Sequence, residues 1–274
     1  MQPSPLLTLN DGRRIPQLGL GVYKVPDEET AALVAGALRL GYRHVDTATL
    51  YRNEAGVGRG VRESGVPRED VFVTTKVWND DHGYDATLRA FDVSLDRLGL
   101  DHVDLYLIHW PSPSRDRYVD TWRALVRLRE EGRARSIGVS NFEPHHIERL
   151  LAETGETPAV DQVELHPLLQ QAEVRRYDGE HGILTESWSP LARGRVLDRP
   201  EVARVAARHG VTPAQAVIAW HLALGLVVIP KSSSLARVEE NAGALGIALD
   251  EEDLAAFAAL DEGFRTGAHP DRDS

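Results

Sequence analysis

The stretch VFVTTKVWNDDHGYDATLRAFDVSLDRLGLDHVDLYLIHW, residues 71–110, contains two short apolar segments separated by an amphipathic one. Residues 71–78 and 103–110 are apolar at consecutive positions, which is typical of parallel strands that are covered on both faces. Between them, apolar residues recur at spacings of three and four from Leu88 to Leu98, the period of a helix with one buried face. The stretch therefore predicts a strand, a crossover helix and a second, parallel strand.

The same alternation continues along the chain. The pattern of a strand occurs at residues 19–23, 42–48, 71–78, 103–110, 135–141, 160–165, 183–188 and 226–230. Further helical segments occupy residues 28–41, 212–225 and 251–263, and each of them ends at a glycine, a common signal for a helix C-terminus. The strand starts are about 23 to 32 residues apart, except for a gap of about 43 before the last one. We expect an inserted loop near residues 192–200 in that gap.

Alternating strands and helices build either an open doubly wound sheet or a closed eight-stranded barrel, and eight units in 274 residues favour the barrel. The predicted fold class is therefore α/β, a (β/α)8 TIM barrel. Residues 6–17 contain an Asn-Asp-Gly turn between two short runs of strand character, which predicts a β-hairpin before the barrel. No linker divides the sequence, so residues 1–274 are expected to form a single domain with a C-terminal tail at residues 265–274.

Composition excludes several classes of function. The chain has 42 acidic and 31 basic residues, a net charge of −11, which argues against nucleic acid as a general partner. It has no cysteine, which excludes disulfides, thiolate metal sites and cysteine nucleophiles. Since no apolar stretch reaches the roughly 20 residues needed to span a bilayer and no leader is evident, we expect a soluble, cytoplasmic, monomeric protein without a membrane partner.

Polar residues stand at the ends of neighbouring predicted strands. Asp46 closes the second strand, Lys76 the third and His109 the fourth, while Tyr51 follows Asp46 by five residues. In a barrel of parallel strands the active site lies at the C-terminal ends of the strands. Each residue alone has a structural explanation, but buried charges require partners, and Asp46 beside Lys76 supplies such a pair. The combination predicts a catalytic group.

The chemistry of this group follows from its members. A tyrosine, with an ordinary pKa near 10, can donate a proton at neutral pH, and we expect the Lys76 ammonium to lower the pKa of Tyr51. His109 can orient a carbonyl oxygen, while Asp46 holds Lys76 in place. None of the four is a strong nucleophile. The group therefore suits reduction of a carbonyl by hydride from a reduced nicotinamide.

Seven segments of the sequence resemble the signature segments of the aldo-keto reductase family. In the order and spacing of that family they are DTATLYRNE (46–54), TTKVWND (74–80), LIHWP (107–111), GVSNF (138–142), DQVELHP (161–167), SWSPLARG (187–194) and IPKSSSLARVEEN (229–241). The chain is similar in particular to short bacterial members such as the 2,5-diketo-D-gluconate reductases, including its ending GAHPD (267–271). The resemblance implies a barrel whose N-terminal hairpin caps the bottom, and NADPH-dependent reduction of aldehydes, ketones, α-dicarbonyls or keto-sugar acids.

The resemblance also implies roles for individual residues. The catalytic residues would be Asp46, Tyr51, Lys76 and His109. The nicotinamide end of NADPH or NADP+ would contact Gly21, Val22, Asp46, Ser140, Asn141, Gln162, Trp188, Ser189, Pro190 and Leu191. The adenosine end would contact Lys231, Ser232, Ser233, Arg237, Glu240 and Asn241. The substrate pocket would be lined by Tyr23, Tyr51, Trp78, His109 and Trp110.

Three other interpretations are weaker. The run GVGRG (56–60) superficially matches a dinucleotide fingerprint, but it lies in a helix-like segment and does not directly follow a strand. A metal-dependent barrel hydrolase would need clustered ligands at a strand end; the pair His145 and His146 is interpreted as surface, and no bound metal is expected. A non-catalytic nicotinamide-sensing regulatory subunit on the same fold is a third alternative, which turnover measurements would separate from an enzyme.

Overall fold

The computed structural model describes residues 2–272 of the chain. Met1 and residues 273–274, the last two of the expected C-terminal tail, lie outside the described residues. The strands are β1 Leu6–Thr8, β2 Arg14–Pro16, β3 Leu20–Gly21, β4 His44–Asp46, β5 Phe72–Val77, β6 Val103–Ile108, β7 Ala134–Ser140, β8 Val160–Glu164, β9 Leu184–Trp188 and β10 Val227–Val228. The α-helices are α1 Asp27–Leu40, α2 Glu54–Glu63, α3 Tyr84–Leu98, α4 Tyr118–Glu130, α5 Pro144–Thr154, α6 Ala172–Glu180, α7 Pro200–His209, α8 Pro213–Ala223, α9 Leu235–Ala242 and α10 Glu251–Ala258.

Strands β3 to β10 form one parallel sheet in sequence order. The first and last strands of this sheet also meet, because Leu18 forms a parallel bridge with Val228, and Gly21 forms one with Lys231. Backbone hydrogen bonds support this junction, including the N–H of Gly19 donating to the carbonyl of Val228 at 2.9 Å. The eight-stranded α/β barrel predicted from the sequence is confirmed.

The helices begin and end where local chemistry favours it. Helix α1 ends at Gly41, whose φ of 114° lies in the left-handed region that glycine adopts without strain. Helix α8 begins after Thr212, whose side chain accepts the backbone N–H of Gln215, with Pro213 at the first helical position. No helix within residues 2–272 combines the length and the apolar character needed to cross a membrane.

The N-terminal strands cover one end of the barrel. β1 and β2 pair antiparallel, and the buried Leu9 and Ile15 pack with Leu105, Leu107 and Val227 from the barrel interior. Full burial of an isoleucine side chain contributes roughly 1.5–3 kcal/mol. This hairpin closes the barrel at the end opposite the carboxyl ends of its strands.

The helices differ from the prediction in two places. The helix expected at residues 251–263 ends at Ala258, because the N–H groups of Glu262 and Phe264 instead donate to the carbonyl of Leu168. The gap before β10 contains the loop expected near residues 192–200 and the predicted helix α8, but also α7, which was not predicted. Helix α7 buries its apolar face against Trp220 and Phe257.

Candidate active site

Four side chains meet at the carboxyl ends of the barrel strands. Asp46 is the last residue of β4, Lys76 lies near the end of β5 and His109 directly follows β6. Tyr51 lies on the 3-10 helix Thr49–Tyr51 that follows β4, with its ring centroid 5.7 Å from that of His109 and 5.2 Å from the Lys76 ammonium nitrogen. The structure therefore brings together the four residues that the sequence singled out.

Lys76 and Asp46 form a buried ion pair. Lys76 Nζ donates to both carboxylate oxygens of Asp46, at 2.6 and 2.7 Å, and to the backbone carbonyl of Thr47 at 2.9 Å. These three bonds use all the hydrogens of the ammonium group. Burial raises the pKa of Asp46, while the charge of Lys76 and a hydrogen bond from Gln162 oppose that rise.

Tyr51 differs from the expectation in one respect. Its pKa is raised well above the ordinary value of 10, first by burial and then by the negative charge of Asp46. The expectation that this pKa is lowered is wrong, because burial and the charge of Asp46 raise it. The phenol of Tyr51 thus stays protonated throughout the neutral range and is available as a donor.

His109 is a neutral imidazole. Burial lowers its pKa well below 6.5, and the charges of Lys76 and His82 lower it further. Its ring contacts the Trp78 ring edge to face, with centroids 5.1 Å apart. Its backbone carbonyl accepts a hydrogen bond from the Asn141 side chain at 2.9 Å. A ring held in this way can donate one N–H to a carbonyl oxygen without bringing a charge.

Asn53 fixes the segment that carries Tyr51, a role that sequence reasoning missed. Its fully buried side chain donates to the carbonyls of Val22 and Val25, at 2.8 and 3.0 Å, and accepts the Thr47 hydroxyl at 2.7 Å. An asparagine just before a helix ordinarily indicates an N-cap. Here the side chain makes no capping bond and ties two loops together instead.

The amide and hydroxyl groups next to His109 form a continuous network. The Asn141 side chain donates to Ser140 Oγ at 3.0 Å, and Ser140 Oγ donates to the backbone carbonyl of Gln162 at 2.8 Å. The Trp188 indole N–H donates to Asn141 Oδ1 at 2.9 Å, which fixes the orientation of the half-buried indole. The structure therefore places these four predicted cofactor residues side by side.

Gln162 also connects two buried carboxyl groups. Its Nε2 donates to Asp46 Oδ2 at 2.9 Å and to Glu186 Oε2 at 3.0 Å. Burial, together with the charge of Asp46, raises the pKa of Glu186 to about 8. The sequence analysis assigned no role to Glu186. A carboxylate in the middle of a predicted buried strand could have indicated one.

The residues expected to hold the adenosine end follow β10. Gly21 pairs with Asp46 on one side and with Lys231 on the other, so this group lies on the same rim as the predicted catalytic residues. Lys231 and Arg237 are exposed, and within residues 2–272 neither forms an ion pair with a carboxylate. The other expected members of this group are the buried Ser232 and Asn241, the half-buried Glu240 and the exposed Ser233.

The remaining predicted site residues lie on the loops of the same rim. Val22 is buried and its N–H donates to the carbonyl of Asp46. Ser189, Pro190 and Leu191 follow Trp188, and Ser189 has a φ of 50° in the left-handed region. This strained residue turns the chain sharply away from the end of β9.

Aromatic side chains flank the predicted catalytic group, which is Asp46, Tyr51, Lys76 and His109. The Tyr23 ring lies 5.0 Å from that of Tyr51 and is 42% exposed, so it borders solvent. Trp78 packs on His109, and Trp110 follows His109 and is half-buried. The open side of the catalytic group therefore has an aromatic rim.

Comparison with known proteins decides the family. Residues 17–262, most of the chain, match the sequence profile of the Aldo/keto reductase family. The chain belongs to this family. The aldo-keto reductase is 54% identical over 267 residues to an aldo-keto reductase of Mycolicibacterium smegmatis, covering 97% of each chain. It is 48% identical over 269 residues to methylglyoxal reductase DkgA of Escherichia coli (strain K12), again covering 97% of each.

Solved structures agree with this assignment. A variant of Gox0644 in complex with NADPH matches the aldo-keto reductase with a TM-score of 0.96 and 47% identity over the full length of both chains. The Bombyx mori aldo-keto reductase AKR2E4, solved in complex with NADP, gives a TM-score of 0.91 at 34% identity, covering 99% of this chain and 97% of the other.

The C-terminal segment of the aldo-keto reductase is attached to the site by Glu164, at the end of β8. Its carboxylate accepts the backbone N–H groups of Thr266 and Gly267, at 2.6 and 3.0 Å, and contacts His166 Nε2 at 3.1 Å. Gly267 lies directly against Trp188, since a Cβ at that position would be 2.6 Å from the indole Cη2. The segment therefore limits how far the indole can move.

The histidine pair also contacts this segment, and the expectation that both lie at the surface is wrong for His146, which is buried. The Nε2 atoms of His145 and His146 lie 3.2 and 3.3 Å from Asp271 Oδ1, a spacing that could hold a metal ion. However, His146 Nδ1 accepts the N–H of Glu143 at 3.1 Å, which leaves the ring hydrogen on Nε2. That tautomer donates a hydrogen bond to Asp271 and is a poor metal ligand.

Proposed function

We propose that this aldo-keto reductase uses NADPH to reduce aldehydes and ketones to alcohols, with Tyr51 as the proton donor. The observation that carries the proposal is the position of the Tyr51 ring, which lies close to both the neutral His109 ring and the buried Lys76–Asp46 pair. The comparisons support it, because a relative is named a methylglyoxal reductase and a related structure contains NADPH.

The polar network suits a nicotinamide carboxamide. Both hydrogens of the Gln162 amide are bound by carboxyl groups, while Oε1 accepts no hydrogen bond from residues 2–272. A carboxamide NH2 would be a fitting donor to Oε1, with Ser140 and Asn141 beside it. The flat face of Trp188 would support the ring. When bound, the reduced nicotinamide supplies the hydride for the carbonyl carbon.

Lys231 and Arg237 suit the phosphate of NADPH. Both cations are exposed on the rim, and charge-assisted hydrogen bonds to a phosphate are about twice as strong as neutral ones. Arg237 lies in the first turn of α9, where backbone N–H groups also favour an anion. We therefore expect these residues to contact the 2′-phosphate that distinguishes NADPH from NADH, with Ser232, Ser233, Glu240 and Asn241 around the adenosine.

The protein side of the reaction is a proton transfer. His109 donates its ring N–H to the carbonyl oxygen and orients the carbon toward the cofactor face. As the carbonyl π electrons move to oxygen, Tyr51 gives that oxygen its phenolic proton. The Lys76 ammonium, 5.2 Å from the Tyr51 ring centroid, lowers the energy of the phenolate that remains until solvent reprotonates it.

The aromatic rim favours small carbonyl compounds. Tyr23, Trp78 and Trp110 offer apolar faces and few polar groups, which suits aldehydes and α-dicarbonyls such as methylglyoxal and leaves room for keto-sugar acids. We also propose that the enzyme is a cytoplasmic monomer. The net charge of −11 supports a monomer because it opposes self-association, and sedimentation would measure the state directly.

Turnover and binding measurements together test the proposal. NADPH oxidation should proceed with methylglyoxal, and Tyr51→Phe should lose most of the turnover while still quenching tryptophan fluorescence on binding NADPH. A catalytically competent Tyr51→Phe variant would refute the proton-donor role. NADPH binding by the wild-type chain without sustained oxidation of any aldehyde, ketone, α-dicarbonyl or keto-sugar acid would instead indicate a nicotinamide sensor.

A further inference from the structure

Glu186 is a buried carboxyl group that the proposed reaction does not use. It lies on β9 with no exposed surface, two residues before Trp188 and thus on the same face of the strand. Its Oε2 accepts Gln162 Nε2 at 3.0 Å, and its Oε1 lies 3.7 Å from His44 Nε2. A carboxyl group is costly to bury, so its contact with Gln162 calls for a functional explanation.

The Gln162 amide has only one orientation that fits its neighbours. Its two N–H hydrogens point to the carboxyl groups of Asp46 and Glu186, and its oxygen is left without a partner among residues 2–272. Turning the amide by half a revolution would place its oxygen against the ionised carboxylate of Asp46, two acceptors with no hydrogen between them. Asp46 is already held by Lys76, so Glu186 is the second anchor that the amide requires.

We propose that Glu186 is a positioning residue for the nicotinamide, and that it acts through Gln162. Its hydrogen bond holds the amide so that Gln162 Oε1 faces the carboxamide of the cofactor. This role rests on the proposed function, which places the carboxamide at Gln162. It predicts that removing the Glu186 acceptor weakens binding of the nicotinamide half of NADPH and leaves binding of the adenosine half intact.

A neutral group can fill this role. The groups facing Glu186 are His44 and Asp46 from β4, Lys76 from β5 and Gln162 from β8. Asp46 holds the charge that pairs with Lys76, and a protonated Glu186 still offers a carbonyl oxygen to the Gln162 N–H. Glutamine at position 186 offers the same oxygen, so Glu186→Gln is a conservative rescue and Glu186→Leu is the disruptive variant.

Calorimetry on the full chain tests the proposal with two ligands, NADPH and 2′,5′-ADP, which lacks the nicotinamide. For Glu186→Leu we expect the affinity for NADPH to fall roughly tenfold, because an amide with one anchor no longer holds Gln162 Oε1 toward the carboxamide, and the affinity for 2′,5′-ADP to stay within twofold. Glu186→Gln should retain wild-type affinity for both. In the background of Gln162→Met, Glu186→Leu should cause no further loss of NADPH affinity, because the coupling between the two residues is gone.

Each other outcome overturns the role. Equal losses for both ligands would make Glu186 a purely structural residue, and no loss in Glu186→Leu would show that Gln162 needs no second anchor. If the leucine variant does not fold, as judged by its thermal transition, Glu186→Met replaces it, since methionine adapts better to irregular space. If the wild-type chain binds NADPH no more tightly than 2′,5′-ADP, the proposed cofactor site itself is refuted, whatever the variants do.

Discussion

Lys76 Nζ lies 2.6 and 2.7 Å from the two carboxylate oxygens of Asp46, and both side chains are buried. Two charges removed from water in this way stabilise the fold only as a pair, because each alone would keep its desolvation cost. The pair also fixes the electrostatics around Tyr51, since its negative member raises the pKa of the phenol. Stability and the proposed proton transfer therefore depend on the same contact.

Removing one member of this pair should strongly destabilise the protein. We expect Lys76→Met to lower the free energy of unfolding by about 3–5 kcal/mol, because Asp46 is left buried without a counter-ion. Adding Asp46→Asn should restore part of the loss. The control is Arg176→Met, which breaks the exposed Arg176–Glu180 pair and should leave urea unfolding almost unchanged. Equal effects of the two single variants would contradict a special role for the buried pair.

Glu186 should make stability depend on pH. Its pKa is raised from 4.5 to about 8 in the folded chain, so between these values only the folded state keeps the proton. Stability from this group is therefore complete below about pH 4.5, falls as pH rises, and is lost once pH passes about 8. We expect Glu186→Gln to remove this slope. As pH rises, the difference in unfolding free energy between the variant and the wild type should therefore increase in favour of the variant, by at most about 1.4 kcal/mol per pH unit.

A second buried carboxyl group provides a matched control. Asp178, which accepts the Thr185 hydroxyl at 2.7 Å, has its pKa raised from 3.8 to about 7 by burial. The unfolding free energy of Asp178→Asn relative to the wild type should therefore stop increasing near pH 7. For Glu186→Gln it should stop increasing near pH 8. Urea unfolding from pH 5 to pH 9 measures both curves. Parallel curves for wild type and variants would show that neither group holds a proton in the folded state.

Much of this architecture could be predicted from the sequence, and the misses share a cause. The alternation around residues 71–110 gave the barrel, and Asp46, Lys76 and His109 were found because strand ends converge on one rim. The pKa of Tyr51 was misjudged because sequence spacing does not show that the phenol is buried close to the charge of Asp46. Glu186 was missed for the same reason, since its role depends on a contact with another strand.

Asn53 should matter for turnover more than for cofactor binding. Asn53→Ala removes two hydrogen bonds to buried carbonyls beside Tyr23, at roughly 1–3 kcal/mol for each group left unpaired, and loosens the 3-10 helix that carries Tyr51. We expect kcat to fall about tenfold or more while NADPH affinity changes little. Asn10→Ala is the control, because Asn10 donates to the carbonyl of Pro158 and lies beyond β1, at the closed end of the barrel. A kcat loss in both variants would point to general destabilisation.

Gly267 should be sensitive to a single added methyl group. In Gly267→Ala the new Cβ would lie 2.6 Å from Trp188 Cη2, so either the indole or the C-terminal segment must shift. We expect weaker NADPH binding and altered tryptophan fluorescence. Gly179→Ala is the matched control, because nothing lies within 4 Å of its Cβ and alanine favours the helix there. Altered tryptophan fluorescence with unchanged NADPH affinity in Gly267→Ala would mean that Trp188 does not support the nicotinamide.

Arg237 should set the preference between NADPH and NADH. We expect Arg237→Ala to weaken NADPH binding about tenfold and to leave NADH binding nearly unchanged, because only NADPH has the 2′-phosphate that the guanidinium can bind. Rising salt should weaken NADPH binding less steeply in the variant than in the wild type, since one exposed charge contact is gone. Arg204→Ala, an exposed arginine on α7, is the control for a general change of charge. Equal losses for NADPH and NADH in Arg237→Ala would place the arginine away from the phosphate, and the site would then depend on Lys231.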